Sequence, residues 1–184
     1  QGAILGTLLA KAKAQMDKMS RLINGFLNVS RLEAGKIELQ KEPLDLDALL
    51  RETQEDFSSA ISSHTLCISG NVGKIVSADK DKIAQVLDNL VSNAVKYSPA
   101  GTCIEITPSM QDAFLRIDVK DSGMGIAEKD LRYVFDRFYR VDGKISENVS
   151  GFGIGLYICR EIVQRHGGEI GLTSKKGEGS VFSF

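Results

Sequence analysis

In the first thirty residues, mostly apolar side chains recur at alternating spacings of three and four residues, and this pattern restricts the fold more than any other feature. The repeated positions, nearly all apolar, are Leu5, Leu9, Ala12, Met16, Met19, Ile23, Phe26 and Ser30. Such spacing is typical of a helix with a coiled-coil seam, which a lone helix cannot bury by itself. We therefore expect residues 1–36 to form a stem that pairs with a second copy of the chain and with a further helix outside this sequence. The alternative is that it folds back on the domain that follows.

The rest of the chain, residues 37–184, mixes helical and strand-like patterns and is predicted to form one α+β domain. The predicted helices run from Asp45 or Asp47 to about Ser63, from Asp79 to Tyr97 and from Ile154 to Arg165. The predicted strands are Lys36–Lys41, Leu66–Ser69, Lys74–Ser77, Cys103–Thr107, Phe114–Asp121, Glu169–Ser174 and Ser180–Phe184. The glycine-rich stretch between the fifth strand and the last helix is long enough to indicate a functional loop.

Length and charge narrow the class of protein. With 184 residues, 42% of them hydrophobic, the chain can bury one core and carry an appendage. A formal net charge of −1 disfavours wholesale electrostatic binding of nucleic acid, so function must come from a local site. No apolar run reaches the roughly 18 residues that a membrane span needs, so we expect no membrane contact by this segment. Because it begins with Gln1 and ends in a strand-like run, we expect it to belong to a longer protein.

The three cysteines are Cys67, Cys103 and Cys159. They are odd in number and far apart, without CxxC spacing or nearby histidines, which predicts neither a disulfide nor a zinc site. A reducing, cytoplasmic location fits this pattern, either for the whole protein or for the cytoplasmic part of a membrane-anchored receptor.

A carboxylate is predicted on the buried face of the 114–121 strand. Ile117 and Val119 share one face by alternation, and Asp121 has the same parity. A buried carboxylate needs hydrogen-bond donors from the backbone or from a ligand amino group. Gly123 and Gly125 follow at once and would let a flat ligand approach the backbone closely. An Asx-turn that ends the strand explains an isolated Asp-Ser-Gly at least as well.

Asn89, Asn93 and Lys96 lie within about 60° of one another on the predicted 79–97 helix. Amide oxygens are hard ligands that suit Mg²⁺, and a lysine suits phosphate. A solvated polar face is the alternative. Asparagine is a poor helix former, however, so two asparagines on the same side of one helix favour a functional role.

A glycine-rich run over residues 151–155 precedes the last predicted helix, where free backbone N–H groups and the helix dipole can hold phosphate oxygens. Upstream, residues 134–140 interleave aromatic side chains with arginines. We interpret Phe135 and Phe138 as part of a hydrophobic plug for the loop. The candidate phosphate contacts are Arg137 and Arg140. The sequence contains no P-loop and no HExxH motif.

Five segments, taken in order, resemble the N, G1, F, G2 and G3 boxes of sensor histidine kinases. They are residues 89–98, 121–126, 135–139, 151–156 and 177–180. Residues 30–35 also resemble the junction between the second dimerisation helix and the ATP-binding domain of that family. The resemblance implies a Bergerat-type two-layer α/β sandwich, with a mixed sheet backed by helices. It divides the chain into a dimerisation and phosphotransfer stem over 1–36, without the phosphoacceptor helix, and a catalytic domain over 37–184.

The same resemblance implies roles for individual residues. Asp121 would bind the adenine amino group, Asn93 with Asn89 would hold Mg²⁺, and the catalytic set would be Asn93, Lys96 and Arg137. The lid over the nucleotide would run from about Arg140 to Ser150. The implied ATP-binding residues are Asn89, Asn93, Lys96, Tyr97, Asp121, Gly123, Gly125, Ile126, Phe138, Arg140, Gly151, Phe152, Gly153, Ile154, Gly155, Leu156 and Ser180.

The resemblance further implies a function and partners. ATP and Mg²⁺ would be bound, and the γ-phosphate would pass to a histidine on the dimerisation helix and then to a response-regulator aspartate. The partners would be a second copy of the chain and a receiver domain. A gyrase- or MutL-like ATPase clamp and a degenerate nucleotide-binding scaffold are the alternatives.

Two departures from the family pattern bear on these alternatives. The H box is absent, and neither His64, expected at the surface, nor His166, expected in a helix-ending turn, resembles the phosphoacceptor. Phe152 stands where many members carry a small hydroxyl residue, which leaves the scaffold alternative open.

Overall fold

The computed structural model describes Met16, Met19 and residues 38–111, 114–141 and 152–184. The chain divides into two compact units, Gln1–Glu38 and Leu39–Phe184. In the first unit, Met16 and Met19 are helical and exposed. The rest of the predicted stem, including its seam, lies outside the described residues, so self-association stays a prediction.

The second unit is a mixed sheet backed by helices, which confirms the predicted α+β class. Its helices are α1 (Leu46–Ala60), α2 (Lys80–Tyr97), α3 (Glu128–Leu131) and α4 (Gly155–His166). Its strands are β1 (Glu42–Asp45), β2 (Thr65–Ile68), β3 (Ile75–Ala78), β4 (Cys103–Gln111), β5 (Phe114–Asp121), β6 (Gly171–Lys175) and β7 (Gly179–Ser183). Five strands pair in the order β2-β4-β5-β7-β6, with β2 and β4 parallel and the other pairs antiparallel. The strands β1 and β3 form a separate antiparallel pair.

The core lies between one face of the five-stranded sheet and the helices. Ile104, Ile106 and Val119 alternate with polar neighbours along their strands and are buried. The helix α1 packs on β2, α2 packs on β4 and β5, and α4 packs on α2. Each long helix presents an apolar stripe to this layer, such as Val86, Leu87 and Leu90 of α2. The sheet thereby fixes the ends of α2, β5 and β7 relative to one another.

Local signals set the helix boundaries. The Asp45 carboxylate caps α1 by accepting from the Ala48 N–H at 3.1 Å, and the Asp79 carboxylate caps α2 in the same way from Lys82 at 3.1 Å. At the end of α4, Gly167 adopts a left-handed conformation with φ +88°, which confirms the predicted helix-ending turn.

The prediction of a strand over residues 36–41 is wrong for the part that the structure describes. Residues 38–41 are not in a strand, and β1 begins at Glu42, which pairs with Ala78. The Gln40 N–H donates to the Asp79 carboxylate at 2.9 Å instead of to a strand neighbour. The alternating pattern was therefore misleading, because pairing depends on where β3 offers a partner.

The prediction of no disulfide is also wrong. Cys67 and Cys103 form a disulfide, with their Cα atoms 6.4 Å apart. The parallel register sets Cys67 opposite Glu105, which brings Cys103 of the neighbouring strand within reach on the same face. Cysteine spacing could not reveal a pairing that depends on strand order. Cys159 is free and fully buried, and burial raises the pKa of its thiol to about 12.

His166 joins three parts of the second unit. Its Nδ1 donates to the Ile162 carbonyl at 2.8 Å, and its Nε2 accepts from the Asp79 N–H at 3.0 Å. These partners assign the proton to Nδ1, because a carbonyl only accepts and an amide N–H only donates. Asp79 also holds Gln40, so the ring connects the end of α4 with the start of α2 and the chain entering β1.

We expect His166→Ala to lower the free energy of unfolding by about 1 to 3 kcal/mol, because it leaves the Asp79 N–H without its acceptor. Urea denaturation of the full chain measures this loss. His64→Ala is the control, since the bonds of that ring to Ser63 and to the Ser98 carbonyl lie at or near the surface. Equal losses in the two variants would contradict the proposed junction.

Candidate functional site

Asp121 ends β5 with its carboxylate in the protein interior. It is 7% exposed and shares its face with Ile117 and Val119, as the alternation predicts. The carboxylate accepts from the Gly123 N–H at 2.7 Å, and Ser180 lies opposite on β7. Burial raises the pKa of Asp121, while hydrogen bonds from Gly123 and Ser180 oppose that rise. The site therefore holds an inward-facing acceptor with donors on one side.

The two glycines after Asp121 lie where no side chain fits. A Cβ on Gly123 would lie 2.7 Å from Asp121 Oδ1 and 2.8 Å from the Tyr97 carbonyl oxygen. Gly125 has φ +63°, and its Cβ would lie 2.0 Å from the Lys175 carbonyl oxygen. The Met124 N–H donates to the Tyr97 carbonyl at 3.3 Å. These contacts bring the end of α2, the turn after β5 and the end of β6 together.

Ser174 is a member of this site that the sequence patterns did not reveal. Its hydroxyl donates to the Gly179 carbonyl at 2.8 Å, accepts from the Ile126 N–H at 2.8 Å and lies 3.0 Å from the Ser180 hydroxyl. It therefore holds Ile126 and Ser180 in place beside Asp121. One signal was available in the sequence: Ser174 is two residues after Leu172 in β6, so the two side chains lie on the same face of the strand.

Asn89 and Asn93 lie one turn apart on α2, and both are half-buried. The Asn89 amide donates to the Gln85 carbonyl at 2.8 Å, and its Oδ1 lies 2.8 Å from the position that a Cβ on Gly155 would occupy. The amide oxygen of Asn89 therefore faces the start of α4. Towards the end of the helix, Lys96 is exposed and Tyr97 is 36% exposed.

The start of α4 lacks a side-chain cap. Ile154 is the N-cap residue and makes no side-chain hydrogen bond, which leaves the first N–H groups of α4 to other partners. Gly153 precedes it with φ +68°, while Phe152 and Leu156 are half-buried. Gly151 and the greater part of the predicted lid, residues 142–150, lie outside the described residues.

The predicted plug is half right. Phe135 packs edge-to-face on Phe182, with ring centroids 6.4 Å apart. Phe138 is 62% exposed and has φ +62°, so its assignment to a plug is wrong: the left-handed backbone turns its side chain outward. Arg137 lies over the Tyr157 ring of α4 at 5.1 Å, and the nearby Arg140 is exposed.

The predicted residues thus form two groups connected by α2. One group surrounds Asp121 and comprises Tyr97, Gly123, Gly125, Ile126 and Ser180. The other lies around the start of α4 and comprises Asn89, Gly153, Ile154, Gly155 and Leu156, with Arg137 and Phe138 beside it. Asn89 and Tyr97 are eight residues apart on one helix, or about 12 Å. A site of this length suits an elongated ligand with a flat and an anionic end.

Comparison with known proteins shows the family to which the chain belongs. Residues 78–184 match the family described as histidine kinase-, DNA gyrase B- and HSP90-like ATPase. The chain belongs to this family. As a histidine kinase-like ATPase domain, it has the mixed sheet backed by helices that defines the Bergerat fold.

The similar proteins favour the kinase branch of the ATPase family over a gyrase-like clamp or a scaffold. The sensor histidine kinase WalK of Bacillus subtilis (strain 168) is 37% identical over 92% of the chain and 28% of its own length. The sensor protein SrrB of Staphylococcus aureus (strain N315) is 36% identical over 95% of the chain and 30% of its own length. The chain therefore spans less than a third of these relatives.

Solved structures show the same fold. Full-length ShkA, crystallised in complex with AMPPNP, is 31% identical with a TM-score of 0.78, covering 91% of this chain and 35% of that one. Histidine kinase ThkA, in complex with the response regulator protein TrrA, is 28% identical with a TM-score of 0.71, covering 92% of this chain and 48% of that one. No helix among the residues described for the present chain is long and apolar enough to cross a membrane.

Proposed function

We propose that this histidine kinase-like ATPase domain binds ATP with Mg²⁺ and, in the full-length protein, transfers the γ-phosphate to a histidine. The phosphoryl group then passes to an aspartate of a response-regulator receiver domain. The observation that carries the proposal is the buried Asp121 carboxylate beside glycine backbone that no side chain could replace. ShkA with AMPPNP supports the ligand, and ThkA with TrrA supports the partner.

The end of the site around Asp121 fits adenine. A carboxylate offers about four acceptor positions, and Gly123 and Ser180 do not use them all. The exocyclic amino group of adenine is a donor that would complete them. Gly123 and Gly125 let the turn after β5 pack closely against Tyr97 and Lys175, which would hold this side of the adenine site in a fixed position. Ser174 holds Ile126 and lies beside Ser180 at this edge, which would keep both residues in position for the ligand.

The end of the site around α4 fits the phosphates and the metal. Uncapped N–H groups at the helix start favour anionic oxygens, and Lys96, Arg137 and Arg140 can add positive charge. Asn89 and Asn93 present neutral oxygen ligands, which suit an Mg²⁺ ion that keeps several waters. When bound, the ion would neutralise charge on the phosphates.

Catalysis in this scheme rests on position and charge. Asn93, Lys96 and Arg137 stabilise the charge of the phosphoryl group, while Asp121 fixes the opposite end of the nucleotide. The nucleophilic histidine would come from the dimerisation region of the longer protein, with the stem over residues 1–36 forming a homodimer. We place this domain on the cytoplasmic side because ATP is available there; the Cys67–Cys103 disulfide removes the argument from unpaired cysteines, so the location rests on the ligand alone.

Two experiments test this proposal. Calorimetric titration of Mg-ATP into the chain tests nucleotide binding, and incubation of the full-length protein with radiolabelled ATP tests transfer. We expect saturable binding and an acid-labile protein phosphate, as a phosphohistidine gives. Binding without transfer in the full-length protein would favour the scaffold alternative, and phosphate release without a protein phosphate would favour an ATPase clamp.

We expect Asn93→Ala to weaken Mg²⁺-dependent ATP binding about tenfold, because one oxygen ligand is lost. Binding of ATP in the presence of a chelator should change less than twofold, since the adenine end is intact. Titration of ATP at several Mg²⁺ concentrations separates the two quantities. Asn71→Ala, in an exposed loop, is the matched control. An equal loss with and without Mg²⁺ would remove the metal role from Asn93.

A further inference from the structure

A buried carboxylate close to the site has no role in the scheme above. Asp130 belongs to α3 and is 9% exposed. Its Oδ1 accepts from the Tyr139 hydroxyl at 2.8 Å. The Tyr139 ring also lies against the Tyr133 ring, with centroids 5.5 Å apart. Because α3 packs on β6, Asp130 connects Tyr139 to the sheet.

The backbone around Tyr139 holds the residues that lead into α4. The Phe138 N–H donates to the Gly153 carbonyl at 2.8 Å. A Cβ on Gly153 would lie 2.6 Å from the Tyr139 carbonyl oxygen and 2.7 Å from the Phe138 carbonyl carbon. Phe138 keeps the left-handed φ of +62°, which is costly for a residue with a side chain. Some other contact must therefore hold this turn in place.

Two further contacts connect the same turn to the first half of α4. The Arg137 guanidinium lies over the Tyr157 ring, and Asp136 pairs with Arg160 at 3.5 Å. The segment from Asp136 to Tyr139 therefore contacts Gly153, Tyr157 and Arg160. The hydrogen bond from Tyr139 to Asp130 anchors this segment to α3.

We propose that Tyr139 and Asp130 are a positioning pair for the triphosphate of ATP. Their hydrogen bond holds the turn at Phe138 in place. That turn contacts Gly153, and it thereby sets the distance between the start of α4 and Asn89 that phosphate binding needs. The inference rests on the proposed ATP binding and deepens it. The adenine end, built on β5, β6 and α2, is positioned by different contacts around Asp121 and Ser174. The pair should consequently affect phosphate recognition and spare adenosine recognition.

The test compares two ligands on the full chain, Mg-ATP and adenosine, by calorimetry. Tyr139→Phe removes one hydroxyl and keeps the ring, so we expect it to weaken Mg-ATP about tenfold and adenosine less than twofold. Asp130→Asn keeps an acceptor oxygen for Tyr139 and should lose about threefold or less. Tyr133→Phe, on the neighbouring ring, is the matched control and should bind both ligands as the unchanged chain does.

Each other outcome contradicts a particular statement. Equal losses for Mg-ATP and adenosine in Tyr139→Phe, with circular dichroism unchanged, would make the pair a general stabiliser and overturn the inference. Unchanged affinity for both ligands would overturn it too. If Tyr139→Phe fails to fold, Asp130→Ala, which removes the acceptor of the Tyr139 hydroxyl, takes its place, and a folded Asp130→Ala chain that loses both ligands equally would overturn the inference. An unchanged chain that binds neither ligand would instead overturn the proposed function, and the inference with it.

Discussion

Asp121→Asn is expected to weaken Mg-ATP binding about a hundredfold or more while leaving the chain folded. The carboxylate accepts from the adenine amino group in the proposed complex, whereas an asparagine can turn an N–H₂ group towards that same donor. The loss of a charged hydrogen bond and the burial of an unpaired donor together cost about 3 kcal/mol. Calorimetric titration with circular dichroism measures affinity and folding on the same samples.

The matched control is Asp118→Asn, three residues earlier on the opposite face of β5, where the carboxylate bonds Arg116. Its affinity for Mg-ATP should stay within twofold of the unchanged chain. Loss of binding in both variants would show that any charge change in β5 is harmful. Unchanged affinity in Asp121→Asn would remove the adenine assignment.

Asp121 should make both the stability of the chain and its affinity for Mg-ATP depend on pH, in opposite directions. Burial raises the pKa of Asp121 in the folded chain, so folding favours the protonated form. Its contribution to stability is therefore present below about pH 4, the ordinary pKa, and is lost as the pH rises through the raised pKa. Mg-ATP binding needs the ionised form and should fall as the pH decreases through that range. Urea denaturation at several pH values should show this loss of unfolding free energy with rising pH in the unchanged chain and not in Asp121→Asn.

Much of the fold could be predicted because its signals are local. Asp79 caps α2, Gly167 ends α4, and the alternation in β5 places Asp121 inside. Each of these signals involves only residues close to it in sequence, through one hydrogen bond to a nearby backbone group, one backbone angle or the two-residue alternation of a strand. The order of the boxes along the chain predicted the family, which the match over residues 78–184 confirms.

The features that were missed all depend on partners distant in sequence or on backbone handedness. The Cys67–Cys103 disulfide needs β2 beside β4, and β1 begins where β3 can pair with it. Ser174 acts on Ile126, 48 residues away, across the turn beside β6. Phe138 faces outward because its φ is positive, which no periodicity reveals. The spacing of residues along the chain does not reveal such contacts until the order of the strands in the sheet is known.

The two glycine-rich segments of the site share one physical requirement, which is close approach of two backbones. Gly125 lies against Lys175 at the end of β6, and Gly153 lies against the turn at Tyr139. In both places a methyl group would meet a carbonyl oxygen, so the restriction is steric as well as conformational. This distinguishes them from glycines that only need a positive φ, such as Gly73 in a surface loop.

Gly125→Ala should therefore cost more than its backbone angle explains. A left-handed φ costs an alanine about 1 to 2 kcal/mol, and Gly73→Ala, at φ +61° with no atom within 4 Å of its Cβ, should lose only that. At Gly125 the φ is +63°, but the Cβ would lie 2.0 Å from the Lys175 carbonyl oxygen, so the turn or β6 must move. We expect a further loss of about 2 kcal/mol or more in the free energy of unfolding and at least about a tenfold weaker affinity for Mg-ATP.

Urea denaturation and calorimetry on the two alanine variants isolate this steric component, because the φ angles of the two positions differ by only 2°. A Gly125→Ala variant that is as stable as Gly73→Ala would show that the turn yields freely, and the close packing would then have no energetic role. If stability falls and affinity does not, the contact with Lys175 belongs to the fold alone. Losses in both quantities would mean that one contact between the turn after β5 and the end of β6 both supports the sheet and shapes the adenine end of the site.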